Sequence, residues 1–167
     1  MLNKISLSIL TMFGLGYSKF APGTLASFAT TLFFYILFKI GYLDSRGLYL
    51  IFIVIVIFFL GILLIDKCSS HFEEKDAKEI VIDEFVGQNI PLITLLFIPF
   101  NSDTINKYFT ILIVLSFVLF RFFDIFKPFP INIIDKKMKN GLGIMLDDLV
   151  AGVFSAIIIC IISYLCF

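Results

Sequence analysis

One histidine, no tryptophan and three cysteines are a thin stock for a 167-residue chain, and each shortage closes a route to chemistry. With His71 alone, no mechanism that needs two histidines is open, and no H-E-x-x-H zinc site can be written. Cys68, Cys160 and Cys166 form no C-x-x-C pair, and none has an arginine six positions on, which disfavours a thiolate phosphatase. Two of them sit in the last apolar run, so the three read as small buried hydrophobes. There is no G-x-S-x-G elbow and no Walker A loop. Charge is scarce as well: 16% of residues are charged, and 13 acids balance 13 bases. A nucleic-acid partner would call for a basic surface, so none is expected.

What the chain has in abundance is apolar surface. Hydrophobic residues make up 60% of it, against about 45–50% in an ordinary soluble domain, which places it in a bilayer. The length fits one domain over residues 1–167. About 20 apolar residues cross a hydrocarbon core as a helix, and five runs are candidates: 24–43, 47–65, 86–100, 108–123 and 149–167. The third is short unless it begins near Ile80. The expected architecture is therefore all-α, a polytopic bundle of about four to five spans. The N-terminal stretch MLNKISLSILTMFGLG has no A-x-A-like cleavage site and reads as an interfacial helix of the mature chain.

Five crossings sort the charges. Lys39, Arg46 and Lys107 fall on one side and the other ten basic residues on the N-terminal side. The positive-inside bias then puts the N-terminus and both long loops, 66–85 and 124–148, in the cytoplasm. Of the acids, Asp44 and Asp103 alone lie outside. The expected location is the inner, cytoplasmic membrane, with any chemistry on the cytoplasmic face.

The same crossings bring four unusual segments to that face: SKFAPGTLAS (18–27), IVIDEFVGQ (80–88), RFFDIFKPFP (121–130) and GLGIMLDD (141–148). Asp83 and Glu84 interrupt an apolar run. Carboxylates at membrane depth cost about 2.5–3.5 kcal/mol on insertion scales and normally face a cavity, a cation or each other; the plainer reading is an interfacial acid pair favoured by a helix dipole. Arg121, Asp124 and Lys127 recur every three residues, which would put Asp124 beside both cations on a helix surface. They form either one salt-bridged stripe or a phosphate clamp around a metal ligand. Asp147 and Asp148 head the last span, where its first turn favours acids. With Asp83, Glu84 and Asp124 they amount to a hard-oxygen cluster of the kind that holds Mg²⁺. Pro22 and Gly23 offer a turn, with Thr24 as helix N-cap and the helix N-terminus as an anion site. Carboxylates with Arg and Lys at a membrane surface suggest phosphoryl chemistry on a lipid, by metal-assisted water attack or through a carboxylate nucleophile.

These segments, with the longer block RFFDIFKPFPINIIDKKMKNGLGIMLDDLVAG, resemble the phosphatidylglycerophosphatase A family in order, spacing and membrane setting, from about Gly14 to Ala156. The resemblance implies a Mg²⁺-dependent integral membrane phosphatase that converts phosphatidylglycerophosphate to phosphatidylglycerol and phosphate. Lys19 stands where the family often has Pro, and Asn140-Gly141 where it has Gly-Gly; both touch loop shape rather than the acids.

Joined, the two lines assign Asp83, Glu84, Asp124, Asp147 and Asp148 as Mg²⁺ ligands and source of the base. Arg121 and Lys127, with Gly23 and Thr24, hold the phosphomonoester of a phospholipid substrate. Asp135 is a further family-like acid without a role. Lys136, Lys137 and Lys139 serve topology or attract anionic lipid. The rival reading is a small cation carrier or channel subunit using the intramembrane acids as an ion path; a lipid-phosphate transferase is a third.

Overall fold

The computed structural model describes residues 2–43, 46–68, 77–99 and 102–166, with backbone alone at 2–3 and 102–107. Asp44, His71, Lys75 and the side chains of Asp103 and Lys107 lie outside the described residues. What is described is all helix: α1 (Leu2–Leu10), α2 (Pro22–Lys39), α3 (Gly47–Cys68), α4 (Ile82–Leu95), α5 (Ser102–Phe126), α6 (Ile131–Lys137) and α7 (Gly141–Cys166), with one 3-10 turn at Leu15–Tyr17.

Three of these are long and apolar enough to cross a membrane: α3, Tyr108–Phe126 of α5, and α7. The helix expected at 24–43 is α2, of 18 residues. The weakest expected span, 86–100, is α4. It starts at Ile82 and stops at Leu95, so its 14 residues rise about 21 Å, short of a hydrocarbon core of about 30 Å. It is instead the bundle's inner post. Val86 to Asn89 and Pro91 to Ile93 are buried, and α2, α3, α5 and α7 all pack against it.

Small residues make that post fit. A Cβ on Gly87 would collide with the Asp148 carbonyl and the Phe120 ring, and one on Gly152 with the Gly87 carbonyl, so α4 and α7 cross backbone to backbone. Pro91 lies inside α4 and cannot donate to the carbonyl four residues back. That carbonyl is Gly87's, and it lies against the Gly152 Cα instead. Five buried hydroxyls are satisfied within their own helices, Ser27, Thr30, Thr31, Ser116 and Ser155 each donating to the carbonyl four residues earlier at 2.8–2.9 Å, whereas the buried Ser163 hydroxyl of α7 has no partner among the described residues. Of the cysteines, Cys68 is buried, whereas Cys160 and Cys166 are exposed on the outside of the bundle, correcting the expectation that all three are buried within the chain.

Two helix starts differ from expectation. Helix α2 begins at Pro22, with Ala21 as N-cap in the left-handed region (φ 42°); Thr24 is therefore inside the first turn, not its cap, because Pro at the first position is already set to the helical φ. Helix α7 begins at Gly141, eight residues before the expected 149. Asn140 is its cap: the Asn140 side-chain oxygen accepts from Gly143 N–H at 3.0 Å, and Asp66 at the end of α3 accepts from Gly141 N–H at 2.8 Å. Asp147 and Asp148 consequently stand in its second turn, beyond the free N–H groups of the first.

Candidate active site

Every chemistry-bearing segment picked out from sequence meets at one end of the bundle. A cleft of about 420 Å³ is lined by Gly23 and Thr24 of α2, Asp83 and Glu84 of α4, Arg121 and Asp124 of α5, Lys127 just beyond it, and Asp147 and Asp148 of α7. Ala77, Lys78, Ile80 and Ile144 close its other side.

Its floor is acidic. Asp83, Glu84 and Asp148 offer carboxylate oxygens within 4.8 Å of one another, and Asp124 lies against Asp148. Asp148 is 4% exposed. Asp83 Oδ1, Glu84 Oε2 and Asp148 Oδ2 are buried without a hydrogen-bond partner. Two ionised carboxylates at that spacing repel by about 3 kcal/mol at an effective dielectric of about 20, and an unpaired buried charge adds its desolvation penalty. Oxygen donors so arranged fit a hard divalent cation such as Mg²⁺. Gly23 belongs to this floor from the α2 side, where a Cβ would collide with Glu84 Oε1. One turn below Glu84, Gln88 is fully buried and neither of its amide atoms has a partner among the described residues.

The cations occupy the rim. Arg121 pairs with Asp124 at 2.6 Å, as the three-residue spacing predicts, and reaches the Ser27 hydroxyl at 3.4 Å; its Nε is buried and unpartnered. Lys127 does not pair with Asp124. Helix α5 ends at Phe126, since Pro128 disfavours the helical region for the residue before it, and Lys127 takes a left-handed φ of 43°. Its ammonium turns to Asp135 Oδ1 and Asp147 Oδ2, each at 2.8 Å. Burial works against that ammonium, but hydrogen bonds and charge from the two carboxylates outweigh it and raise its pKa above the usual lysine value. Burial would likewise raise Asp135, and Lys127 overrides it, holding the carboxyl below the ordinary range.

The five acids expected to act alike thus fall into two groups. Asp83, Glu84, Asp124 and Asp148 face one another. Asp147 is set apart: its Oδ2 takes the Lys127 ammonium and its Oδ1 the Asp148 N–H at 3.0 Å. Sequence reasoning left out Asp66 and Ser27 and gave Asp135 no role. An acid ending an apolar helix and an i−4 serine are signals too common to have marked the first two.

A sequence model of the family described as Phosphatidylglycerophosphatase A matches residues 8–163. A phosphatidylglycerophosphatase A of Haemophilus influenzae is 38% identical over 152 residues, 91% of this chain and 85% of the relative. One of Escherichia coli is 34% identical over 91% of this chain and 80% of the relative. A Bacteroides thetaiotaomicron protein provisionally named phosphatidylinositol-3-phosphatase is 34% identical over 90% and 89%. No solved structure matches the chain.

Proposed function

The chain belongs to the phosphatidylglycerophosphatase A family, and from that premise we propose that it is a Mg²⁺-dependent phosphatase of the inner membrane that hydrolyses phosphatidylglycerophosphate to phosphatidylglycerol and phosphate at the cytoplasmic face. One observation carries this reading: unpartnered buried carboxylates line the same cleft as the cations Arg121 and Lys127, at one end of an apolar bundle.

In this reading Asp83, Glu84 and Asp148, with Asp124 beside them, hold the metal, which when bound neutralises the phosphate's charge and lowers the pKa of water. Arg121 and Lys127 bind the phosphomonoester oxygens and offset the charge that develops as the bond to the glycerol oxygen breaks. The N–H groups of Gly23 and Thr24, at the start of α2, add neutral donors for the same anion. A carboxylate of the floor takes the proton of the attacking water and returns it to the glycerol oxygen as that oxygen leaves, so the products are the phosphatidylglycerol hydroxyl and phosphate. The acyl chains stay in the bilayer, so the cleft admits the headgroup alone.

The carrier reading asks for ionisable groups spaced through the bilayer's depth. Among the described residues the buried charged side chains are Asp147 and Asp148, both in the cleft, and the buried polar residues Gln88, Ser116, Ser155 and Ser163 are not ionisable.

The test is phosphate release by detergent-purified protein from phosphatidylglycerophosphate, with Mg²⁺ or EDTA, beside phosphatidic acid and phosphatidylinositol 3-phosphate. Release that needs Mg²⁺ and prefers the glycerophosphate headgroup supports the proposal; no release from any of the three by folded protein overturns it.

A further inference from the structure

A lysine ammonium carries three N–H donors, and at Lys127 two are taken up by Asp135 and Asp147. The two acceptors are not equivalent. Asp147 lines the cleft beside the acidic floor, whereas Asp135, on α6, lies outside the cleft's lining, in an adjoining hollow whose wall Asp147 and Ile144 share with the cleft. Asp135 therefore holds Lys127 from outside the cleft. The same oxygen, Oδ1, also meets the Lys139 ammonium at 3.6 Å, so an alternating chain of charge runs Asp147, Lys127, Asp135, Lys139.

Remove Asp135 from that chain and the ammonium is left to Asp147 and the acids next to it. A cation drawn onto the floor neutralises carboxylates rather than an incoming anion. With Asp135 present it is balanced between the two, half-buried at the rim, with one N–H unassigned. We propose that Asp135 is a positioning residue, which holds Lys127 away from the acidic floor and aims its third N–H at the phosphate. The inference rests on the reading above for the identity of that anion; the geometry of the holding contact does not.

The experiment uses the full chain purified in detergent with Mg²⁺, and measures inorganic phosphate binding by calorimetry beside KM and kcat for phosphatidylglycerophosphate. Asp135→Asn is expected to weaken phosphate binding about tenfold, the scale of one charge-assisted hydrogen bond, and to raise KM more than it lowers kcat. In a Lys127→Met background the same change is expected to do nothing further, because the residue acts through the lysine. Wild-type phosphate affinity in folded Asp135→Asn, or an equal loss in the Lys127→Met background, overturns the proposal. If Asn is not tolerated, Asp135→Glu keeps the charge and shifts the ammonium by one methylene. Its phosphate affinity should then fall between that of the wild type and that of Lys127→Met, and a wild-type value overturns the proposal. A wild type that binds phosphate but releases none from the lipid refutes the enzymatic reading while leaving this inference to the calorimetry.

Discussion

The Cα of Gly23 on α2 is pressed against the carboxylate of Glu84 on α4, closely enough that a Cβ at 23 would take the place of Oε1. The obstacle is the far end of a flexible side chain, so Gly23→Ala is expected to displace Glu84 rather than break the fold, and alanine is the better helix former by about 1 kcal/mol. Displacement of about an ångström at a reacting site costs on the order of a hundredfold. Gly23→Ala should therefore lose most of its turnover at an unchanged or higher melting temperature. A variant with wild-type kcat would show that Glu84's position is not critical.

Asp148→Asn separates function from stability. The wild-type floor holds carboxylates within 4.8 Å of each other, so without metal the neutral amide relieves repulsion. In EDTA the variant should melt higher than the wild type, each kcal/mol recovered being worth about 2–4 °C for a chain this long. Mg²⁺ should raise the melting temperature of the wild type, since a ligand of the folded state stabilises it, and leave the variant unmoved. Turnover should be abolished. Substantial residual phosphate release by Asp148→Asn, or by Asp83→Asn, would remove that residue from the site.

How much of this was legible beforehand follows from which signals are local. That the four segments share one end was readable from counting apolar runs, because each crossing reverses direction whatever its details. The runs misplaced the helix ends. Apolarity stops at Asp148, so the last span was expected to start there, whereas the helix starts where its N–H groups find acceptors, at Asn140 and Asp66. For 86–100 the error was opposite: the apolar residues continue past Leu95 through Leu96, Phe97 and Ile98, and hide the stop there. The three-residue spacing of Arg121, Asp124 and Lys127 held for one pair and failed for the other, since a spacing argument assumes a continuing helix, and Lys127 precedes a proline. Asp135 was unplaceable because its partner lies eight residues back across that break.

Asp66 ties the end of α3 to the start of α7 through the Gly141 N–H. Losing a side-chain cap of this kind costs about 1 kcal/mol, so Asp66→Ala should lower the melting temperature by about 2–4 °C. Amide exchange at Gly141 and Leu142 should quicken while the middle of α7 stays protected. Unchanged exchange at Gly141 would show that the contact contributes nothing to the helix start.

The Lys127–Asp135 pair gives stability a defined pH window. Asp135 in the folded chain titrates below its ordinary value of 3.8. A group depressed on folding contributes its stability above the unfolded pKa, and the contribution disappears as pH falls through the folded one. Lys127 is raised above 10.5; its share is complete below the unfolded value and is lost as pH climbs through the folded one. Between those limits the bridge is at full strength. The melting-temperature gap between wild type and Asp135→Asn should therefore be constant from about pH 5 to pH 9 and shrink toward zero as pH drops below about 4. The sign follows from the ion pair: in acid the wild-type carboxyl becomes neutral, as the asparagine always is, so the two proteins converge. Thermal melts across the pH range check it, and a gap that widens in acid would mean that Asp135 is stabilised by something other than the lysine.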